Sequence, residues 1–522
     1  MQDQSKENTI EDNQPTSICS TVAQPESKSR FDFMQHWHKT VIGDIYKDDD
    51  PRQYSIKKKA MITLIVGVSG VSGPLGTMIY LPGLSQISSE LHASLPETDA
   101  TVAVYLALLG IAPLFWASMS DLYGRKPMYI YSLVIGIVAS ILCAISHNIP
   151  TLLVFRAIQA CGSSSGQTLG AGVIADTFDV SERGKAYSIF YLGPLLAPVL
   201  SSVVGGILSQ FLGWKSTFYF LAILGGVLLF LVTFFLPETL RKKREEEKTI
   251  SSDSEQLSLK EKSEHFKVLK NIKKAFIPML LMLRDPTVLM ITIYNTVIFA
   301  SLYFLNPTIT DTFENAYHYS SLQIGLCYLA LGVGLIVGSI SSGRYSDYVL
   351  KKLKEKNGPD GVYPELRIQA AYPSFALIPA GYLIYAWTTQ YHVAVYAPLI
   401  GLFIYAVGQM TASTPTSVYL VDSKPGRSAS AIAINNCVRC VIAAITTIFS
   451  SSSVKAIGPG ILFTILAGIN MLNIITVLLV RFQGRKWRTR FEMKIKATGQ
   501  AKGDEETGLS PLTAVNSRMS AV

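Results

Sequence analysis

The chain has 522 residues, 49% of them apolar and only 16% charged, with 46 Lys and Arg against 37 Asp and Glu and a formal charge of +9. A soluble protein carries charged residues near ~25%. These proportions therefore exclude an ordinary soluble enzyme, and runs of roughly 20 nearly uncharged residues match the thickness of a hydrocarbon core.

From the start, residues 1–57 are polar and rich in Gln, Asn, Ser and Lys, with no apolar core behind a short basic segment. That composition predicts a disordered tail with no cleavable signal, so the first span serves as signal anchor. Six apolar runs follow at 59–82, 100–119, 128–146, 151–175, 187–209 and 215–236. Residues 237–283, with Arg241-Lys242-Lys243-Arg244, a Glu triplet and Ser251, Ser252, Ser254 and Ser258, predict a solvated tether. Six more runs come at 286–308, 321–343, 368–388, 392–420, 429–450 and 458–480, then a basic tail. The expectation is an all-α membrane protein of twelve spans, in two six-helix halves at 58–236 and 284–482, with a tail at 483–522.

The positive charge is explained by topology. Lys and Arg favour cytoplasmic loops near span ends, and this assignment puts all of them on the side of the termini except Lys215, Lys455, Arg156 and Arg439. Both termini then face the cytosol, and no nucleic acid or acidic partner is needed. The stretches 83–99, Asp311–Tyr319 and Thr389–Tyr391 read as uncharged-to-acidic connections on the opposite side. The cysteines Cys19, Cys143, Cys161, Cys327, Cys437 and Cys440 are scattered. Cys437 and Cys440 have the spacing of a metal or redox pair but sit in a lipid-embedded run with no His partner, so they read as packing residues. No metal or cofactor is expected.

A repeat appears at half length. Ser120-Asp121 closes the second run and Ser346-Asp347 the eighth; Asp176 closes the fourth and Asp422 the tenth, at offsets of 226 and 246 residues. Two halves of one topology with a site at their interface form a transporter pattern.

Asp121-Leu122-Tyr123-Gly124-Arg125-Lys126-Pro127 fills a very short loop in which Gly124 permits a tight turn and Asp121 either pairs with Arg125 or caps a helix across the half interface. This segment resembles the loop signature of the major facilitator superfamily, with Ala117 in place of the usual first Gly and Leu122 where Arg is common. Arg156-Ala157-Ile158-Gln159 resembles the Arg-x-x-Gln pattern of its proton-coupled drug antiporters. An arginine inside a span is costly and usually serves a cavity, although at roughly 7 to 8 Å depth Arg156 could also snorkel outward. Gly193-Pro194 and Pro198, then Gly205-Gly206, resemble the Gly-Pro-rich antiporter motif, with Ala197 replacing a Gly; the pattern lets the fifth span bend and pack closely. Pro237-Glu238-Thr239 reads as a family marker without evident chemistry.

Arg439 lies near mid-membrane, with Asn435 and Asn436 one turn away, and Tyr80, Asn295, Asn306, Tyr294 and Tyr303 supply polar and aromatic groups on the first and seventh spans. No Asp or Glu is expected deep in any span. Two arginines without a buried carboxylate suit an anionic, zwitterionic or neutral aromatic cargo better than a lipophilic cation. Proton coupling then falls to Asp99 near the outer face or to a proton carried on the substrate, because Arg does not deprotonate.

Across nearly all of 58–490 the chain is similar to the fungal twelve-spanner drug:proton antiporters, nearest in tone to the quinidine-resistance and dityrosine-exporter group through Ile79-Tyr80-Leu81-Pro82, Pro113-Leu114-Phe115-Trp116 and Tyr419-Leu420-Val421-Asp422. The resemblance implies a monomeric plasma-membrane exporter, with a prospore or vacuolar membrane as alternatives, driven by protons and carrying drugs, weak acids or modified aromatic amino acids such as dityrosine. An uptake symporter and a non-transporting sensor are the rival functions. No nucleotide-binding loop is present, so no enzymatic hydrolysis is expected.

Overall fold

The computed structural model of the chain describes residues 50–241, 279–357, 363–424 and 427–506. The N-terminal tail with Cys19, the serines of the tether and residues 507–522 lie outside the described part. Among the described residues the regular structure is helical throughout, with no strand. The first half holds α1 (Ile56–Ser69), α2 (Ser72–Met78), α3 (Leu84–Glu90), α4 (Leu95–Tyr123), α5 (Arg125–Ala144), α6 (Ile149–Ser163), α7 (Ser165–Thr177), α8 (Val180–Leu212) and α9 (Lys215–Phe235). The second holds α10 (Pro286–Tyr317), α11 (Ser321–Asn357), α12 (Ser374–Gln390), α13 (Tyr396–Ser423), α14 (Ser428–Thr447), α15 (Ser450–Ile457) and α16 (Pro459–Glu506).

Nine segments among the described residues are long and apolar enough to cross a membrane. The runs expected at 151–175, 368–388 and 392–420 are helices that fall outside those nine. Their sequences explain it: α6 and α7 carry Arg156, Gln159 and a Ser-Gly run, α12 is only 17 residues long, and α13 is interrupted by Gln409, Pro415 and several Ser and Thr.

Local chemistry sets the helix ends. Ser94 donates its N–H and its hydroxyl to Glu97 Oε2 at 2.8 and 2.7 Å, a capping box that starts α4 at Leu95, five residues earlier than hydropathy alone suggests. Asp99 therefore sits inside a helix, and it is buried. Asp285 accepts from Thr287 N at 2.8 Å to start α10, which then runs through to Tyr317. This corrects the expected Asp311–Tyr319 connection: Asp311 is helical, because the chain turns only at His318, whose φ is 54°. Gly124, with φ 105°, is at once the end of α4 and the start of α5, so the connection is a single residue.

Helices in lipid gain little from apolar burial against one another and associate through close packing of small residues. The first span breaks between α1 and α2 and the fourth between α6 and α7, and the two breaks touch. Ser72 Oγ donates to Ser163 O at 3.2 Å, and a side chain at Gly166 would overlap the Ser69 carbonyl. The halves meet where α4 packs on α14 and α8 on α11.

Two ends are defined by the contacts. At the end shared with the described termini, Tyr54, Gly124, Asp176, Glu238, Asp347 and Asp422 gather; at the distal end, Glu90 meets Lys215 and Gln390 meets Gly460. Among the described residues five hydrogen bonds cross between the halves on the distal side: Gln86 to Ser321, Thr310 to Leu81 O, and three between Asp99 and Ser450 or Ser451. No described ion pair or hydrogen bond joins the halves at the termini end. Among the described residues the halves are thus fastened distally.

Candidate functional site

Arg156 lies seven residues into α6 and is 0% exposed, so it does not snorkel. Its guanidinium is packed between the rings of Tyr80 and Tyr105, with centroids at 4.2 and 4.1 Å, and Phe218 lies at 5.6 Å. Nη1 donates to Gly76 O at 3.1 Å and Gln159 Oε1 at 2.8 Å, and Gln159 passes the network on to Ser140 Oγ at 2.8 Å. Nε and Nη2 are buried without an acceptor. No carboxylate lies within ion-pair distance among the described residues. A buried cation held by ring faces and two neutral acceptors, with N–H groups left over, presents an unfilled demand for an anion. The sequence-expected residues Tyr80, Arg156 and Gln159 thus come together in one cluster.

Arg439 and Asn295 form two further clusters in the second half. Arg439 donates from Nε and Nη2 to Asn436 Oδ1 at 3.1 and 2.8 Å and lies over Phe299 at 4.4 Å, again without a carboxylate. Asn295 donates to Asn435 Oδ1 at 3.2 Å and accepts from Thr416 at 2.8 Å. Tyr303 of α10 is within electrostatic reach of both Arg439 and Tyr105. Asn306, wholly buried in the same helix, has neither amide nitrogen nor amide oxygen bonded. Cys440 packs against Gly110 where α14 meets α4.

At the termini end the expected aspartate repeat resolves into two matching triads. Arg125 donates from Nη1 to Asp121 at 2.7 Å and from Nε to Asp176 at 3.0 Å. In the second half Arg367 takes the same place, 3.1 Å from Asp422 and 3.9 Å from Asp347. Asp121 pairs with Arg125 within its own half. Lys126 is buried beside Glu238, which reveals a chemistry the sequence hid. The Glu238 carboxylate accepts the backbone N–H groups of Arg125 and Lys126, both at 3.0 Å, and so caps α5. Burial pushes this carboxyl above the ordinary range, opposed by those N–H bonds. A side chain at Gly124 would begin 2.5 Å from Glu238 Oε2, which fixes glycine there. The expectation of a solvated 237–283 fails at its first residues, since Glu238 and Thr239 are buried as a cap.

The α8 motif is a packing surface. Side chains at Gly193 and Gly205 would overlap the carbonyls of Gly67 and Ile79 on either side of the first-span breaks, whereas Gly206 faces Ser321 and Gly325 of α11, at 3.0 and 3.1 Å, across the half interface. Pro194 and Pro198 lie inside a helix that continues past both.

The profile of the major facilitator superfamily matches residues 66–447. The chain belongs to the major facilitator superfamily. It is 27% identical to the MFS antiporter QDR3 of Candida albicans over 85% of this chain and 80% of that one. It is 31% identical to citrate exporter 1 of Aspergillus niger, over 85% and 89%. The crystal structure of a D-xylose-proton symporter shares the fold at a TM-score of 0.60 and 13% identity, covering 80% of this chain and 96% of that one. The protein is a multi-pass membrane transporter of this superfamily. Within it, Arg367 and Glu238 are the site-framing residues that sequence reasoning missed. Arg367 lies beyond a lengthened loop, in the 3-10 turn Pro364–Ala371, where no motif flags it. Glu238 had a signal in its position directly after the sixth run.

Proposed function

We propose that the chain is a proton-coupled antiporter that exports small organic anions, zwitterions or neutral aromatic molecules, the last including dityrosine-like compounds. The reading takes twelve crossings with both termini in the cytosol, halves at 58–236 and 284–482, and a monomer in a fungal plasma membrane. The observation that carries it is Arg156, buried without a carboxylate and with two of its three nitrogens lacking an acceptor. Arg439, half-buried and bonded to Asn436, supplies a second cation without a carboxylate. A cargo carboxylate offered to these donors gains charge-assisted hydrogen bonds, worth ~1.5–3 kcal/mol each, and a lipophilic cation gains none. The similarity to a citrate exporter and to an antiporter supports both the anionic cargo and the outward direction.

Alternating access follows from how the halves are fastened. With the distal bonds made, cargo enters from the termini side; breaking them while the termini-side faces close presents the same arginines outward. The α8 glycines let that helix slide on the first span and on α11 as the halves rock. Gradient-driven efflux from inside-out proteoliposomes, comparing citrate and dityrosine with tetraphenylphosphonium, tests the reading. Movement of the anions but not the cation, lost in Arg156→Ala, is the expected result; movement of the cation alone would sink it.

A further inference from the structure

Asp99 stands apart from the Arg156 cluster, at the distal seam. It is 1% exposed, and no Lys or Arg among the described residues is within ion-pair distance. Its partners come from the other half. Ser451 N donates to Oδ2 at 3.0 Å and Ser451 Oγ to Oδ1 at 3.0 Å, and Ser450 Oγ lies 3.2 Å from Oδ2.

Counting hydrogens sharpens this. The Ser450 hydroxyl owns one, and the Thr447 carbonyl stands closer to it, at 2.8 Å. That hydrogen is shared between Thr447 O and Asp99 Oδ2, so the Ser450 arm of the seam is the weakest of the three. Surrounding charge opposes ionisation. Asp311 of α10 repels an Asp99 anion, and one Asp311 oxygen is itself buried without a donor; Lys455 and Glu314 face Asp311, and Tyr80 faces Asp99 from the first span. Two carboxyls brought side by side in a seam of low dielectric cannot both ionise cheaply, and one retained proton relieves them. On its distal side Asp311 lines a cavity of about 310 Å³ together with Asn315, Gln390, His392 and Lys455, which gives water a route to the pair.

We propose that Asp99 is the proton-binding site of the transport cycle, loaded from distal water past Asp311, and that the protonated carboxyl latches the distal seam to Ser450 and Ser451. The proposal rests on the antiport reading above. Loss of the proton leaves an anion beside Asp311 in a seam of low dielectric, and their repulsion opens the seam. Tyr80 links the latch to the cargo site: it is stacked on Arg156, bonded to Thr101 at 3.2 Å, and within electrostatic reach of Asp99.

Hydrogen–deuterium exchange of segment 447–457 in the full chain in nanodiscs, followed against pH and corrected for intrinsic rates, tests the latch without a cargo. In the unaltered protein, protection is expected to fall at least tenfold as pH rises, and in Asp99→Asn, which mimics the neutral acid, to stay high at every pH. Protection that does not vary with pH in the unaltered protein overturns the proposal, whatever the variant does. Efflux of citrate and dityrosine under an imposed pH gradient separates the two ideas. Efflux driven in the unaltered protein but not in Asp99→Asn supports the site; undiminished driven efflux in Asp99→Asn overturns the site and leaves antiport standing. A titrating latch with no response of either cargo to the gradient overturns antiport, and with it Asp99 as the coupling site.

Discussion

The two halves repeat one scaffold at the termini end but fasten it with opposite charge. In the first half the start of the first span is basic and the segment opening α8 acidic: Arg52 reaches Asp179 at 4.0 Å and Lys59 reaches Glu182 at 3.8 Å, with both acids more than half exposed. In the second half the corresponding start of α10 is acidic and the end of α13 basic, and the Asp285–Lys424 pair is buried, at 0% and 7% exposure. The last helix of each half reaches back to the third in the same inverted manner. Glu238 supplies a carboxylate to the N–H groups of α5, whereas Arg488 supplies a cation to Glu365 at 3.1 Å, just ahead of α12. The triads Asp121–Arg125–Asp176 and Asp347–Arg367–Asp422 are the part that keeps its sign. The common triads sit at the short loops, and the inverted pairs are free to vary because either order of charges closes the same gap. Burial is what makes them energetically unequal.

The comparison can be broken in order of expected effect. Arg156→Ala removes the cation that both proposals lean on, and its transport is expected to drop at least about tenfold, the scale of one charge-assisted hydrogen bond, in the efflux assay above. Asp285→Ala strands the Lys424 ammonium and uncaps α10, so a loss of ~3–5 kcal/mol is expected, read as a lowered unfolding midpoint in detergent. Gly205→Ala drives a methyl into the Ile79 carbonyl; overpacking of ~1–3 kcal/mol is expected, whereas Gly184→Ala, with nothing within 4 Å, leaves the midpoint unchanged or raised. Glu238→Ala removes the α5 cap, at ~0.5–2 kcal/mol. Asp179→Ala, at the exposed first-half pair, is expected to shift the midpoint by no more than ~1 kcal/mol. Equal losses for Asp179→Ala and Asp285→Ala would show that burial does not distinguish the halves.

Much of this was legible. The apolar runs located the long helices though not α3 or α15, and the aspartate repeat anticipated the four acids of the two triads though not Arg367, because lipid imposes length and charge rules that act locally along the chain. What was hidden depends on contacts across long sequence separation. Nothing in Asp285 or Lys424 announces a partner 139 positions away. Asp99 looked like a residue at a span end because hydropathy ignores a capping box; the Ser94-to-Glu97 signature was present and would have moved the start of α4. Tyr80, Arg156 and Gln159 were singled out together with Asn295 and Arg439, which lie in separate clusters, and the ring stack on Arg156 emerges only from the break in the first span.

The five bonds that fasten the distal seam also set a population. At ~1 kcal/mol net for a typical hydrogen bond, losing any one of them changes the ratio of distally closed to distally open molecules by about fivefold. Cargo affinity measured from one side is divided by the fraction of molecules accessible from that side. Gln86, Thr310, Ser450 and Ser451 touch no arginine of the site, yet each is a dial on apparent affinity, changing by that factor the ratio of the affinities read from the two faces.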